Sequence, residues 1–238
     1  MLNMLWWIGR TPSSYRRIWT SRPAHHSSAL GLLVGIRDYL ALGETNDTFL
    51  AFHAVDSCEL KPGQWLGVIG AGGLGQLATQ YAKAMGAKVL AIDVNDRTLE
   101  NTKAQGADAI FNSRSNQSYI NEIKKLTNGG VHAAAVFSNA KQAYASAPSI
   151  IRTGGTMMVV GIAHDPLQVS AMDLALQKYK IKSESTSIPQ RMPKAIEFTA
   201  KHNISPEVDL RKGLESLAGM VEEMKSGKAT KRMAIVFD

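Results

Sequence analysis

The sequence predicts an α/β protein built on a doubly wound parallel sheet, and three observations lead to that prediction. Short apolar runs alternate with amphipathic helical segments from about residue 64 onward. A glycine-rich turn stands between the first apolar run and the first of these helices, and an acid, Asp93, ends the next run. Strands that alternate with helices pair in parallel, because each helix returns the chain across the sheet in a right-handed crossover.

The predicted elements follow one another at short intervals. We expect strands at 65–69, 88–92, 109–111, 133–137, 156–161 and 181–185. The helices between and after them are expected at 74–85, 97–105, 119–126, 141–151 and 171–178. Apolar residues at helical spacing predict two earlier helices, one over 28–43 and one that runs through Phe49 and Leu60 and ends at Pro62-Gly63. From residue 193 to the C-terminus we expect two helices and a last strand at 233–237.

Composition and charge argue against several classes of protein. The chain is 45% hydrophobic and 20% charged, as ordinary globular proteins are, and no apolar run approaches the roughly 20 residues that span a bilayer. The net charge is +7, but residues 1–37 contain five arginines and no acid. Removing those five from the 27 basic residues leaves 22 against 20 acidic residues. We therefore expect neither a membrane nor a nucleic acid as a partner.

The first 28 residues differ in composition from the rest. They are rich in arginine and serine and free of acids, which is typical of a mitochondrial transit peptide. We favour a non-homologous tail or a gene-model artefact, because Trp6, Trp7 and two prolines interrupt an amphipathic helix. The single cysteine, Cys58, permits no internal disulfide and indicates an intracellular protein. We expect the cytoplasm, with the mitochondrion as the alternative.

The glycine-rich turn has the spacing of a dinucleotide-binding Rossmann motif. Gly70, Gly72 and Gly75 form G-x-G-x-x-G between a predicted strand and a predicted helix, as that motif requires. The first glycine permits a tight turn, the second lets a pyrophosphate approach the backbone, and the third lets the helix pack closely on the strand. The backbone N–H groups of Gly73 and Leu74 then face the phosphates at the positive end of the helix.

Asp93 indicates which dinucleotide binds. It follows the motif at the distance where an acid accepts hydrogen bonds from the adenosine ribose hydroxyls. A 2′-phosphate about 4 Å from its carboxylate would be repelled by roughly 4 kcal/mol per charge pair at an effective dielectric constant near 20. Arg97 could soften this repulsion, although an exposed residue in a helix's first turn is its simpler role. We therefore predict NAD rather than NADP as the cofactor.

Further motifs make the chain resemble the zinc-dependent medium-chain alcohol dehydrogenases from about residue 46 to the C-terminus. They are Leu60-Lys61-Pro62-Gly63-Gln64-Trp65, Gln80-Tyr81-Ala82-Lys83-Ala84-Met85-Gly86-Ala87, Gly106-Ala107-Asp108, Arg152-Thr153-Gly154-Gly155-Thr156 and the ending from Gly227. The resemblance implies a basic leader and helix over 1–45, an NAD-binding Rossmann domain over 46–188, and C-terminal helices and a strand over 189–238. That last region would be a remnant of the family's catalytic domain.

The resemblance also implies which parts of a dehydrogenase this sequence lacks. In the family, a preceding catalytic domain supplies zinc and a proton relay, and no such domain is recognisable in residues 1–45. The family's cysteine ligand before the Lys-Pro-Gly turn falls on Asn46, and Cys58 is out of register. The histidines are scattered without ligand spacing, at positions 25, 26, 53, 132, 164 and 202. We therefore expect no zinc and assign no catalytic residue.

By resemblance, a few more residues border the cofactor. Arg232 corresponds to a late arginine that reaches the pyrophosphate, although a charged residue at a strand edge is an equally simple interpretation. Ser138 and the turn at Gly161 and Ile162 correspond to the border of the nicotinamide carboxamide. The strand at 181–185 corresponds to the edge that pairs two subunits into a homodimer, and an unprotected edge favours such pairing.

Three functions are compatible with these features. We favour an NAD-dependent alcohol dehydrogenase-like oxidoreductase that interconverts a small alcohol and an aldehyde or ketone, truncated and without the zinc site. The alternatives are an inactive NAD-binding pseudoenzyme or interaction module, and a zinc-free fold reused for non-redox chemistry. Because a fold does not fix a function, the enzyme assignment depends on the resemblance alone.

Overall fold

The computed structural model describes residues 43–185, 189–226 and 228–236. The leader and almost all of the helix predicted over 28–43 lie outside this range. The elements in chain order are α1 (Gly43–Asp56), β1 (Trp65–Ile69), α2 (Gly73–Ala84), β2 (Lys88–Asp93), α3 (Asp96–Ala104), β3 (Ala109–Asn112), α4 (Tyr119–Leu126), β4 (Val131–Val136), α5 (Lys141–Ile150), β5 (Ile151–Val159), α6 (Ala171–Ala175), β6 (Tyr179–Ser183), a 3₁₀ turn (Pro189–Arg191), α7 (Met192–His202), β7 (Val208–Lys212), α8 (Ser216–Lys225) and β8 (Arg232–Val236).

The first six strands form one parallel sheet in the order β3-β2-β1-β4-β5-β6. In this sheet β1 lies in the middle, and its Val68 pairs with Ala91 of β2 on one side and Ala135 of β4 on the other. The chain adds strands outward from β1 to β3, and then returns to add β4 to β6 on the other side. This reversal confirms the doubly wound α/β fold and creates a crevice at the carboxyl ends of β1 and β4.

The core lies on both faces of the sheet. Along β2 the buried side chains alternate, so that Val89 and Ala91 join one apolar cluster and Leu90 and Ile92 join the other. The first cluster packs under α1 and α2, with Phe52, Leu77 and Tyr81 among its largest members, and the second packs under α4 and α5. Each fully buried large apolar side chain contributes about 1.5–3 kcal/mol. The two clusters together hold the carboxyl ends of the strands in fixed positions.

Several helix ends have identifiable local causes. The side chain of Asn95 caps α3 by accepting a hydrogen bond from Thr98 N at 3.2 Å. Gly86 and Gly106 follow α2 and α3 with φ angles of +84° and +109°, as expected for glycines that stop helices. Helix α1 ends at Asp56, before the predicted end at Pro62-Gly63, because the chain leaves the helix and turns at Glu59 with a φ of +54°.

The C-terminal region corrects the sequence-based prediction. Its two helices and its last strand are present, but an additional strand, β7, pairs in parallel with β8 in a separate two-stranded sheet. The residues of β7 are Val-Asp-Leu-Arg-Lys, too short and too charged to be recognised as an apolar run. Arg211 of β7 forms ion pairs with Asp209 at 2.8 Å and with Glu223 of α8 at 2.7 Å. These contacts explain why charged residues occupy a strand here.

The bounds of β5 and β6, the strands at the predicted dimer edge, also differ from the prediction. Strand β5 begins at Ile151 rather than at 156, because Gly154 and Gly155 belong to the strand instead of a loop. Strand β6 spans Tyr179–Ser183 rather than 181–185, since Gly155 pairs with Tyr179 and Val159 with Ser183.

Over the described parts of the chain, no helix is long and apolar enough to cross a membrane.

Candidate functional site

Three of the predicted site segments meet at the crevice between β1 and β4. Gly70 follows β1, Ser138 follows β4, and Gly161 follows β5. A β-carbon on Gly70 would lie 2.9 Å from the backbone nitrogen of Ser138, and one on Gly161 would overlap the Ser138 carbonyl oxygen. The backbone of Ser138 is therefore held between two glycines. The structure thus brings together segments about 90 residues apart, as the sequence-based assignment of a single site requires.

The glycine loop combines one position closed by packing with one that is open. A β-carbon on Gly75 would overlap the carbonyl oxygen of Gly70 and lie 3.1 Å from Cγ1 of Val68. A β-carbon on Gly72 would have no neighbour within 4 Å. Gly72 is the N-cap of α2 and provides no side-chain acceptor for the first turn. The space beside it thus borders helix N–H groups that the cap residue leaves without an acceptor.

Asp93 supports the glycine loop as well as facing the crevice. Its Oδ2 accepts a hydrogen bond from Ala71 N at 2.8 Å, while its Oδ1 accepts from Val94 N at 2.7 Å and Asn95 N at 3.1 Å. Of the two oxygens, Oδ2 keeps a further lone-pair site for a hydroxyl donor. Sequence reasoning assigned Asp93 a ligand contact alone and missed this structural role, because the motif spacing does not show where the Ala71 N–H points.

Arg232 lies beside the start of α2, far from it in sequence. It is the first residue of β8, and a β-carbon on Gly73 would lie 3.7 Å from both the β-carbon and the backbone nitrogen of Arg232. The C-terminal strand therefore reaches the helix end where a pyrophosphate was expected. Leu74 lies in the same first turn, between Gly73 and Gly75.

The turn at Gly161 and Ile162 forms the far side of the crevice. The hydroxyl group of Tyr144 donates a hydrogen bond to the carbonyl oxygen of Gly161, which ties the turn to α5. Burial of Tyr144 raises the pKa of its phenol above the ordinary value, so it remains a donor. The side chain of Ile162 is 73% exposed, unusually high for a large apolar residue. It therefore offers an apolar surface at the place predicted for the nicotinamide.

One further residue at this site could not be recognised from the sequence. Gln76, in the first turn of α2, is buried and donates to the carbonyl oxygens of Ala71 at 3.0 Å and Thr230 at 2.9 Å. Thr102 of α3 also donates to the Ala71 carbonyl, at 3.1 Å. A glutamine one turn into a helix resembles a surface residue in sequence, and only the fold shows that it faces two buried carbonyl groups.

The residues in the described ranges do not fit a zinc site. They contain no cluster of three or more histidine, cysteine, aspartate or glutamate side chains that could hold a metal ion. The buried thiol of Cys58 donates to the carbonyl oxygen of Ala54 at 3.2 Å, and burial raises its pKa to about 12, whereas a zinc ligand must be a thiolate. We therefore derive no chemical step through zinc.

Three of the histidines are accounted for by their surroundings in the fold. His53 is fully buried with no hydrogen-bond partner on either ring nitrogen, and burial lowers its pKa below the ordinary value. The Nδ1 atom of His132 accepts from Trp65 N at 3.1 Å at the amino end of β1, opposite the crevice. His202 packs against Phe198, with 4.3 Å between ring centroids. These contacts place none of the three at the candidate site.

The sheet order, the reversal beside β1 and the glycine loop at the crevice define a Rossmann domain of the NAD(P)-binding class. The chain belongs to the zinc-binding dehydrogenase family, whose family model matches residues 73–201, more than half of the sequence. The match begins in the glycine loop and ends in α7. It therefore includes Asp93, Ser138, Gly161 and Ile162, and ends before Arg232.

Solved alcohol dehydrogenases share this fold. The enzyme from the hyperthermophilic archaeon Aeropyrum pernix aligns over 82% of this chain with 24% identity and a TM-score of 0.71. An alcohol dehydrogenase from Thermotoga maritima aligns over 81% with 23% identity and a TM-score of 0.72. A 2R,3R-butanediol dehydrogenase from Bacillus subtilis aligns over 81% with 21% identity and a TM-score of 0.70. The alignments cover 55%, 55% and 56% of those three chains, so this chain spans about half their length.

Proposed function

We propose that the crevice binds NAD(H) and that the chain serves as the cofactor-binding part of an alcohol dehydrogenase-like oxidoreductase. The observation that carries this proposal is the open space at Gly72 beside the first turn of α2. Close packing requires glycine at positions 70 and 75, but a β-carbon on Gly72 would meet no protein atom within 4 Å. A pyrophosphate would fit that space, because it accepts hydrogen bonds from helix N–H groups and is attracted by the helix dipole.

Each part of the cofactor has residues that would hold it. The first turn of α2 and Arg232 would hold the pyrophosphate, and Asp93 would accept hydrogen bonds from the adenosine ribose. Ser138 and Ile162 would border the nicotinamide, the backbone of the former bonding its carboxamide. Asp93 favours NAD over NADP, since a 2′-phosphate would bring negative charge to a carboxylate that Ala71 holds in place.

Bound NAD⁺ would supply the hydride acceptor for oxidation of an alcohol. This chain's own residues would orient the nicotinamide with the turn at Gly161 and shield one side of it with Ile162. The substrate would then be a small alcohol, or the corresponding aldehyde or ketone in the reverse direction. This part of the proposal depends on the family, because no residue described here is assigned to proton transfer.

The direct test of the cofactor is binding measured by calorimetry on the purified chain, titrated with NADH and NADPH separately. We expect saturable binding of NADH, and weaker binding of NADPH by about tenfold or more, since the charge repulsion at Asp93 is on the order of a few kcal/mol. Equal or tighter binding of NADPH would contradict the choice of cofactor. No binding of either dinucleotide would contradict the proposed function.

A second candidate function is cofactor binding without turnover. The observation that favours it is the lack of a three-ligand metal cluster in the described part of the chain. Steady-state assays with ethanol, benzyl alcohol and cinnamaldehyde would decide between the two, together with elemental analysis for zinc. Turnover in the ordinary range of about 1–1,000 per second would contradict this second function. We expect no stoichiometric zinc, and turnover far below that range would favour this second function over the first.

We also propose that two copies of the chain pair through β6. This strand bonds to β5 on one side, and within the described residues no strand pairs with its other side. Exposed apolar side chains lie on β6 and on the segment leading to it: Met172, Leu174, Leu176 and Ile181. An unpaired strand edge flanked by apolar side chains is suited to pairing with a second copy.

The cytoplasm is the compartment that we propose for this protein, with the mitochondrion as the alternative. A single cysteine fits a reducing compartment. Fluorescent fusions with and without residues 1–28 would decide, because a transit peptide would be required for mitochondrial import.

A further inference from the structure

The side chain of Gln76 joins two segments that are distant in sequence. It is 2% exposed, although glutamine is among the residues usually found at the surface. Its Nε2 group donates to the carbonyl oxygens of Ala71 and Thr230, while its Oε1 accepts from Nε2 of Gln105 at 3.1 Å. Both amide hydrogens are therefore used, and each satisfies a carbonyl group on a different segment.

Both of these segments belong to the candidate cofactor site. Ala71 lies in the glycine loop, and its N–H group is bonded to Asp93. Thr230 precedes Arg232 by two residues, and the backbone of Arg232 packs against Gly73. One buried amide thus connects the glycine loop to the segment that carries the arginine. Loss of the bridge would matter most at Thr230, because the Ala71 carbonyl oxygen keeps the hydrogen bond from Thr102, whereas the buried Thr230 carbonyl group would lose the donor of Gln76.

We infer that Gln76 is a positioning residue for cofactor binding, which holds residues 230–232 against the glycine loop so that Arg232 and the first turn of α2 serve the same pyrophosphate. This inference rests on the proposed function for the cofactor itself. Gln76 touches no part of the cofactor in this scheme and acts through the Thr230 carbonyl group. Its contribution to affinity therefore depends on Arg232 being present.

Gln80 provides a matched control on the same helix. It lies one turn after Gln76, and its Nε2 donates to Oε1 of Gln105 at 3.1 Å and to the carbonyl oxygen of Ser205 at 2.9 Å. The two glutamines thus make similar contacts, but Gln80 is connected to Ser205 rather than to Thr230. Gln80→Leu removes the same chemical group from α2 and leaves the bridge to the arginine segment intact.

The bridge itself is tested by hydrogen exchange on the full chain without cofactor. In Gln76→Leu we expect the backbone amides of residues 228–236 to exchange about tenfold faster, because the buried hydrogen bond to Thr230 that holds this segment is lost. In Gln80→Leu the faster exchange should instead lie near residues 204–206. Unchanged exchange at 228–236 in Gln76→Leu would overturn the inference, whether or not the chain binds a dinucleotide.

The positioning role is tested by NADH titrations of wild type, Gln76→Leu, Arg232→Ala and the double variant. We expect Gln76→Leu to weaken NADH binding about tenfold, as the loss of one charge-assisted contact would. In the Arg232→Ala background the same change should weaken binding by less than about twofold, and Gln80→Leu should leave it unchanged. Adenosine binding should be equal in all variants, since adenosine has no pyrophosphate.

Two results of these titrations would decide against the inference. Equal fold-losses from Gln76→Leu with and without Arg232 would show that the residue acts on stability alone. A tenfold loss of adenosine binding would show that it acts on the whole crevice. If Gln76→Leu does not fold, Gln76→Met is unbranched, as glutamine is, and removes the amide without burying a charge, so the same results are expected. Failure of wild type to bind NADH would instead contradict the proposed function, and hydrogen exchange would still decide the bridge.

Discussion

The Asp93 carboxylate accepts a hydrogen bond from the backbone N–H group of Ala71 at 2.8 Å, so the acid at the end of β2 holds the loop that follows β1. The residue expected to select the cofactor thereby also shapes the cradle for its phosphates. A substitution at Asp93 changes both properties, and two substitutions are needed to separate them.

Asp93→Asn should change cofactor choice and keep part of the support of the loop, because the amide carries no charge and its single oxygen can still accept from Ala71 N, while its NH2 group replaces the acceptor of Val94 N and Asn95 N. We expect the ratio of NADH affinity to NADPH affinity to fall by about tenfold, since the substitution removes a repulsion of a few kcal/mol between the carboxylate and the 2′-phosphate of NADPH. Asp93→Ala should weaken the binding of both NADH and NADPH. It should also lower the free energy of unfolding by about 1–3 kcal/mol, because three backbone N–H groups lose their acceptor. Calorimetry and urea unfolding measure the two effects. Asp173→Asn, on exposed helix α6, is the control, and an unchanged cofactor preference in Asp93→Asn would contradict the assignment.

Two alanine substitutions in the glycine loop should affect different properties, one the stability of the fold and the other the affinity for NADH. In Gly75→Ala the new β-carbon overlaps the Gly70 carbonyl oxygen, so we expect a loss of about 3 kcal/mol or more in unfolding free energy. In Gly72→Ala the β-carbon enters open space, so stability should change by about 1 kcal/mol or less. NADH affinity should nevertheless fall about tenfold in Gly72→Ala, because the methyl group occupies the place of the pyrophosphate. Undiminished NADH affinity in that variant would contradict the proposed position of the cofactor.

The stability of the protein should decrease as the pH falls below about 6.5. Burial, assisted by the positive charge of Arg191, lowers the pKa of His53 in the folded state, whereas Glu184 and Asp56 act weakly in the opposite direction. The unfolded chain therefore takes up a proton near its ordinary pKa of 6.5, while the folded chain resists protonation until a lower pH. The stabilising contribution is complete above pH 6.5 and is lost as the pH falls toward the folded-state pKa.

Urea unfolding between pH 5 and pH 8 measures this effect in wild type and in His53→Leu. The variant should lose much of the pH dependence and be at least as stable at pH 7, since an apolar side chain replaces two unsatisfied ring nitrogens. Burial also lowers the pKa of His132, which accounts for the slope that remains. An identical pH profile in His53→Leu would show that the imidazole does not have this role.

Ile181→Lys should convert a dimer to a monomer. It would add a positive charge between Lys180 and Lys182 at the free edge of β6, where the same strand of a second copy would bring like charges together. Sedimentation analysis at several concentrations measures the change. Leu126→Lys, at an exposed apolar residue on α4, is the matched control and should leave the oligomeric state unaltered. A wild-type chain that remains monomeric at high concentration would contradict pairing through β6.

The sequence was sufficient for the sheet and for most of the crevice, because both depend on local patterns. Each of these patterns is formed by residues that are close together in the sequence. Examples are the buried runs of β1 and β2 and the spacing of Gly70, Gly72 and Gly75. Local patterns of this kind do not predict contacts between segments that are distant in the sequence. The buried position of Gln76 and the pairing of β7 with β8 both depend on how the C-terminal segment returns to α2. No local feature of the sequence encodes that return.

The close approach of Gly70 and Gly161 to Ser138 also limits how the crevice can evolve. When two side chains collide in a core, a smaller residue at one position can often offset a larger one at the other. The nearest atoms that a new side chain at either glycine would meet belong to the backbone of Ser138, which every amino acid shares. No replacement at position 138 could therefore make room for a larger residue at 70 or 161. A larger residue at position 70 or 161 could be tolerated only if a whole strand moved. Otherwise the lineage would have to revert to glycine, because a change at position 138 could not compensate for it.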